Sequence, residues 1–201
     1  MRPHLVTLLV LTFGTGAIAA DVPITAESLK LAIESRTDAL NVRFVARDPA
    51  ITKGAGGHTY LLTATVTVMH SDNPSIQTGF TTEAAGWTRN TATTAKYRLT
   101  TTEVDEVVVH WVKKIIVREG SLMKVATRGL VPRLLTGGNP LPGPAGVTVM
   151  LELTNGNDGS ANRFCTRFSE LDGSTVSLQT TYPPKFVAAH GVPVSCPPAA
   201  P

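Results

Sequence analysis

The sequence predicts an all-β protein, an antiparallel β-sandwich of Ig-like or jelly-roll-like kind with about nine or ten strands. Three observations predict it. Apolar residues recur at period two through most of the chain, and long helical periodicity does not. Turn signals such as Asp48-Pro49, Asp72-Asn73-Pro74 and Glu119-Gly120 punctuate these runs at short intervals. Charged residues make up only 16% of the chain, and Thr is abundant, a balance that suits exposed β-strands better than helices.

Taken in order, Leu29, Leu31 and Ile33 alternate with Lys30, Ala32 and Glu34, which predicts a strand. A short helix over Ala26 to Ser35 competes, because Glu27, Leu31 and Glu34 also fit helical spacing. Val42, Phe44 and Ala46 alternate with Arg43 and Arg47 until Asp48-Pro49 stops the strand, since Pro lacks a ladder donor. Gly54-Ala55-Gly56-Gly57 reads as a loop. From Thr59 to His70, Leu62, Ala64, Val66 and Val68 face one way and Thr63, Thr65 and Thr67 the other. Ile76, Thr78 and Phe80 open the next strand, and Tyr97 and Leu99 mark another.

Val107 to Val117 is apolar on both faces, which predicts a central strand, and Glu119-Gly120 turns it into Leu122, Lys124 and Ala126. Gly137 to Pro144 is a Pro/Gly-rich loop. Val147, Val149, Leu151 and Leu153 then alternate with Thr148, Met150, Glu152 and Thr154. A polar hairpin loop, Asn155 to Asn162, leads to Phe164, Thr166 and Phe168. Val176 and Leu178, then Phe186 to Ala189, mark the last strands.

Residues 1–19 have the three-part layout of a cleavable signal peptide: Arg2, an apolar run from Leu5 to Phe13, and Ala17-Ile18-Ala19 before the cut. Cleavage is expected after Ala19, with Ala20 second. The apolar run falls short of the ~20 residues that span a bilayer, so stable membrane insertion is not expected. The remainder, residues 20–201, is one domain's worth of chain ending in a Pro-rich tail, Ser195-Cys196-Pro197-Pro198. The destination is secreted or periplasmic. The net charge of +3 is small and scattered, so the basic stripe of a nucleic-acid binder is missing.

The two cysteines, Cys165 and Cys196, most simply form one disulfide in an oxidising compartment. Several segments resemble those of a loosely defined group of small, uncharacterised exported bacterial β-proteins: VRFVARDPAIT (Val42–Thr52), AAGW (Ala84–Trp87), AKYRL (Ala95–Leu99) and GSLMK (Gly120–Lys124). PAGVTVMLEL (Pro144–Leu153), RFC (Arg163–Cys165) and SCP (Ser195–Pro197) continue the order. The resemblance implies a fold and an address, and the recurrence of both cysteines in the group supports their pairing. It implies no activity, and the Asn155–Asn162 loop is longer here than in the group.

No residue set carries a catalytic, cofactor or metal signature. His58, His70, His110 and His190 form no ligand spacing. Glu103, Asp105 and Glu106 are paired carboxylates in a turn before a strand, where solvated charges are ordinary. Asn155-Gly156-Asn157-Asp158-Gly159 resembles the start of a calcium loop, but Thr166 stands where the bidentate Glu belongs, and a type I′-like turn at Asp158-Gly159 accounts for it. Trp87 is the one weak ligand-binding candidate, placed at a loop edge where its ring could stack on a sugar. Arg163 and Arg167 share a strand face that could bind an anion or be laddered with acidic neighbours. The expected function is therefore a non-catalytic interaction or structural module with a glycan or another protein as partner. A carbohydrate-binding module or minimal hydrolase is the alternative.

Overall fold

Alternation of apolar and polar residues becomes strands with one buried and one exposed face along most of the chain. The computed structural model describes residues 19–37, 39–53, 62–82, 86–99, 110–129, 142–156 and 159–197. The strands are β1 (Ala20–Pro23), β2 (Ala26–Glu34), β3 (Ala39–Ala46), β4 (Leu62–His70) and β5 (Gln77–Thr81). They continue as β6 (Trp87–Asn90), β7 (Thr94–Arg98), β8 (His110–Arg118) and β9 (Leu122–Gly129). The last are β10 (Val147–Asn155), β11 (Ala161–Phe168), β12 (Thr175–Gln179) and β13 (Lys185–Pro193). Residues 26–34 settle as strand rather than helix, because the period-two set Leu29, Leu31 and Ile33 is buried while Glu27 and Lys30 are exposed.

The expectation of about nine or ten strands is an undercount: among the described residues thirteen strands form one sheet. Its path runs β5-β4-β10-β11-β13-β2-β3-β9-β8-β7-β6, with β1 paired to β11 and β12 paired to β13 off the path. Neighbours are antiparallel except β1, which runs parallel to β11. The sheet is strongly curled, a half-barrel, and β5 at one end lies against β8 from the other arm. Phe44, Phe80, Phe164, Phe168 and Phe186 are fully or almost fully buried in one core fed by both arms.

The two arms meet through only two register pairs, Thr166↔Pro193 and Arg167↔Val192. On one side of this seam the chain leaves β11 at Phe168, makes a 3₁₀ turn over Glu170–Asp172, and returns as β12 along the same edge of β13. The Ser174 N–H closes that excursion on the Ser169 C=O at 3.0 Å. On the other side β13 ends at Pro193, which cannot donate to a ladder. Its tail leaves the sheet, and β1 closes on β11 with Pro23 opposite Cys165.

Local chemistry explains several departures from plain alternation. Lys113 and Lys114 are both exposed between buried Val112 and Ile115, because a bulge shifts the register of β8 against β9 at that point. Burial on both faces therefore does not continue through this part of β8; residues 107–109 lie outside the described residues. It occurs instead in β10, where Val147, Thr148, Val149, Met150 and Leu151 are all buried. The β10–β11 hairpin is longer than a two-residue type I′ turn: Gly159 N–H donates to Asn155 C=O and Asn155 N–H to Ser160 C=O. Gly146, at φ 71°, leads into β10, and a Cβ there would stand 1.8 Å from the Phe168 carbonyl oxygen. Only glycine fits.

Candidate functional site

The most elaborately built place in the molecule is the corner where β1, β11 and the C-terminal tail meet. Cys165 in β11 is fully buried and bonded to Cys196, with Cα atoms 5.3 Å apart. The disulfide holds the tail across the outward face of β4, β10 and β11, where Met69, Met150 and Cys165 cluster beneath Val194 and Cys196. Arg163, two residues before Cys165, clamps both ends of this arrangement. Its Nε donates to Asp21 Oδ1 of β1 at 2.7 Å, and its guanidinium also donates to the Pro197 carbonyl at 3.2 Å. Arg167, two residues after Cys165, makes a bidentate pair with Asp172 at 2.6 and 2.9 Å. Both arginines thus have carboxylate partners, as the ladder reading expects, and Glu152 stands opposite Arg163 in register.

Trp87 is the first residue of β6, paired with Tyr97 of β7. The two rings meet edge to face, centroids 5.4 Å apart and planes at 67°. Gly86 makes room for that contact, since a Cβ there would come within 2.2 Å of the Tyr97 ring. Trp87 is half-buried against the core, and its indole Nε1 is buried with no hydrogen-bond partner among the described residues. An unmet buried donor costs free energy, and this N–H is the one unusual polar feature at Trp87.

The remaining candidates are dispersed. His70 is buried at the end of β4, whereas His190 is exposed in β13 at a positive φ of 61°, at the bend where β13 changes partner from β12 to β11. His58 and the carboxylates Glu103, Asp105 and Glu106 lie outside the described residues, as do the Gly54–Gly57 loop, most of Gly137–Pro144 and residues 1–18. Among the described residues no group of three or more His, Cys, Asp or Glu is placed to hold a metal ion. No described helix is long and apolar enough to cross a membrane.

Two polar clusters have no signal in the sequence pattern. Asp48 accepts from the Thr25 N–H and hydroxyl, both at 2.7 Å, and from the Ala50 N–H at 2.8 Å. Partial burial opposes its ionisation, but the bonds from Thr25 and Ala50 outweigh that and hold its carboxyl below the ordinary aspartate range. Lys53 donates to the Thr91 carbonyl, and burial lowers its amine despite the nearby charge of Glu119. Each cluster ties one loop to another. Comparison with protein-family models, curated proteins and solved structures finds no match for the chain.

Proposed function

We propose that this is an exported extracytoplasmic protein acting as a non-catalytic interaction or structural module. The observation that carries the reading is the Cys165–Cys196 disulfide, which closes the tail over an apolar outward patch and is compatible with an oxidising compartment. The resemblance to small exported bacterial β-proteins, the DPAI … GW … RFC … SCP order, supports the same address. Within this reading the curled sheet is a β-sandwich of Ig-like or jelly-roll-like kind, a view supported by the single core shared between its two arms.

The test is expression of the full chain with its first 19 residues in a bacterial host. The reading expects exported protein that starts at Ala20 and whose non-reduced mass is two hydrogens below the reduced mass. Retained residues 1–19 with two free thiols would overturn the address. Turnover of glycoside, ester or peptide substrates by the purified mature chain would overturn the non-catalytic part.

A second reading, a carbohydrate-binding module or minimal hydrolase, is favoured by Trp87 being only half-buried, which leaves part of its ring open to a ligand. A glycan array with the mature protein and Trp87→Phe, which keeps a ring against Tyr97 but loses the N–H, decides it. Binding lost in Trp87→Phe supports this reading, and an array blank with the wild-type chain ends it.

A further inference from the structure

We propose that β12 is the contact edge of a two-fold homodimer, in which two copies join their sheets by antiparallel pairing of β12 with β12. The proposal goes beyond the module reading and does not depend on its ligand. Among the described residues β12 pairs with β13 alone, so its other edge is unpaired. Exposed strand edges are normally blunted by charge, proline or a bulge. No residue from Gly173 to Pro184 is charged, β12 itself holds no proline, and its pairing with β13 shows no register shift. The other free edges differ. β1 carries Asp21 and Pro23, β6 carries Arg89 and a register shift after Trp87, and β5 lies against β8.

The two exposed large hydrophobic residues of the described chain bracket this strand: Leu171, 74% exposed, precedes it and Tyr182, 60% exposed, follows it. That placement selects a second copy as the occupant, because a two-fold contact must be self-complementary. An antiparallel pairing centred on Ser177 sets Thr175 against Gln179 of the second copy and half-buried Val176 against its half-buried Leu178. Leu171 precedes the strand and Tyr182 follows it, so the antiparallel two-fold brings Leu171 of each copy to the end of the paired strands where Tyr182 of the other lies. Ser177 faces itself across the axis, and the two-fold brings no like charges together along the strand. Pairing over five residues buries less than a standard interface, so the dimer is weak and concentration-dependent.

Sedimentation velocity on the mature, disulfide-bonded chain over a concentration series tests this. The wild type is expected to move from monomer to dimer with rising concentration. Ser177→Lys sets two cations face to face and should weaken association by at least roughly tenfold, and Ser177→Glu should do the same. An equimolar mixture of the two should dimerise again, because position 177 then pairs opposite charges. Leu171→Ser should also weaken the dimer, with the far-UV circular dichroism melt unchanged in every variant since both side chains are exposed. A wild type that stays monomeric throughout would overturn the proposal and leave β12 to an extended segment of another protein. Unaltered dimers of Ser177→Lys, or a mixture that fails to recover, would overturn it too.

Discussion

The two arms of the curled sheet solve burial in different ways. In the arm built from β2, β3, β9 and β8, apolar residues point into the core and charged ones point out. Val42, Phe44 and Ala46 are buried while Arg43 is exposed, and Lys30 and Lys124 face solvent likewise. In the arm built from β4, β10 and β11 both faces are covered: Val68, Val149 and Phe164 look inward, and Met69, Met150 and Cys165 are buried on the outside. A one-sided arm is complete once its core is packed. A two-sided arm needs something laid over its outer face, and here the C-terminal tail does that, stapled by a disulfide and held by Arg163.

Separating tail from sheet is the strongest way to break that contrast. Cys165→Ser with Cys196→Ser opens a loop whose ends are 31 residues apart and is expected to cost about 3–4 kcal/mol on the chain-entropy model. Hydrogen exchange should quicken first in β10 and β11 while β2 and β3 stay protected; equal loss in both arms would contradict the contrast. Outward-facing substitutions sharpen it. Met150→Asp should cost about 2–4 kcal/mol, as burying a charge under the tail demands, whereas Lys124→Ser on the open arm should stay within about 0.5 kcal/mol. Urea titrations of the two variants compare directly.

Ion pairs should divide in the same way. Arg163 is 14% exposed at its side chain and binds both Asp21 and Pro197, so Arg163→Ala is expected to cost about 1–3 kcal/mol. Arg47 and Glu27 are 58% and 49% exposed, so Arg47→Ala should cost less than about 1 kcal/mol.

The smallest effect tests the polar end of the open arm. Asp48→Asn should cost about 1 kcal/mol at neutral pH, as for loss of a capping carboxylate. Because the folded carboxyl ionises below its unfolded counterpart, its contribution is present above the unfolded value and is lost as pH falls through the folded one. Urea midpoints of wild type and Asp48→Asn should therefore converge in acid; a gap constant with pH would remove Asp48 ionisation from the account.

The legible part of the fold is the part with strict period two. Val42, Phe44 and Ala46, and Val147, Val149, Leu151 and Leu153, all point into the core as the alternation requires. Cys165–Cys196 was legible because two cysteines leave one pairing. The missed strands are four residues long: β1 contains Asp21 and Pro23, and β6 has two exposed residues in a row. Neither has room to show a period. The covering of Met150 was illegible for another reason, since what buries it comes from a tail whose own sequence, rich in proline, carries no strand signal. Trp87 shows the limit at a single side chain. Composition marks it as unusual, but only its pairing with Tyr97 reveals that its ring is half inside the protein.

Arg163 also fixes when the molecule can be finished. Asp21 precedes it by 142 residues and Pro197 follows it by 34, so segments far apart in the chain converge on one guanidinium. During synthesis β1 must wait, unpaired, until β11 has emerged, and the seam stays open until the tail arrives. Contacts this distant in sequence close slowly. Until they do, the bare edge of β11 is a site where one half-made chain can capture another.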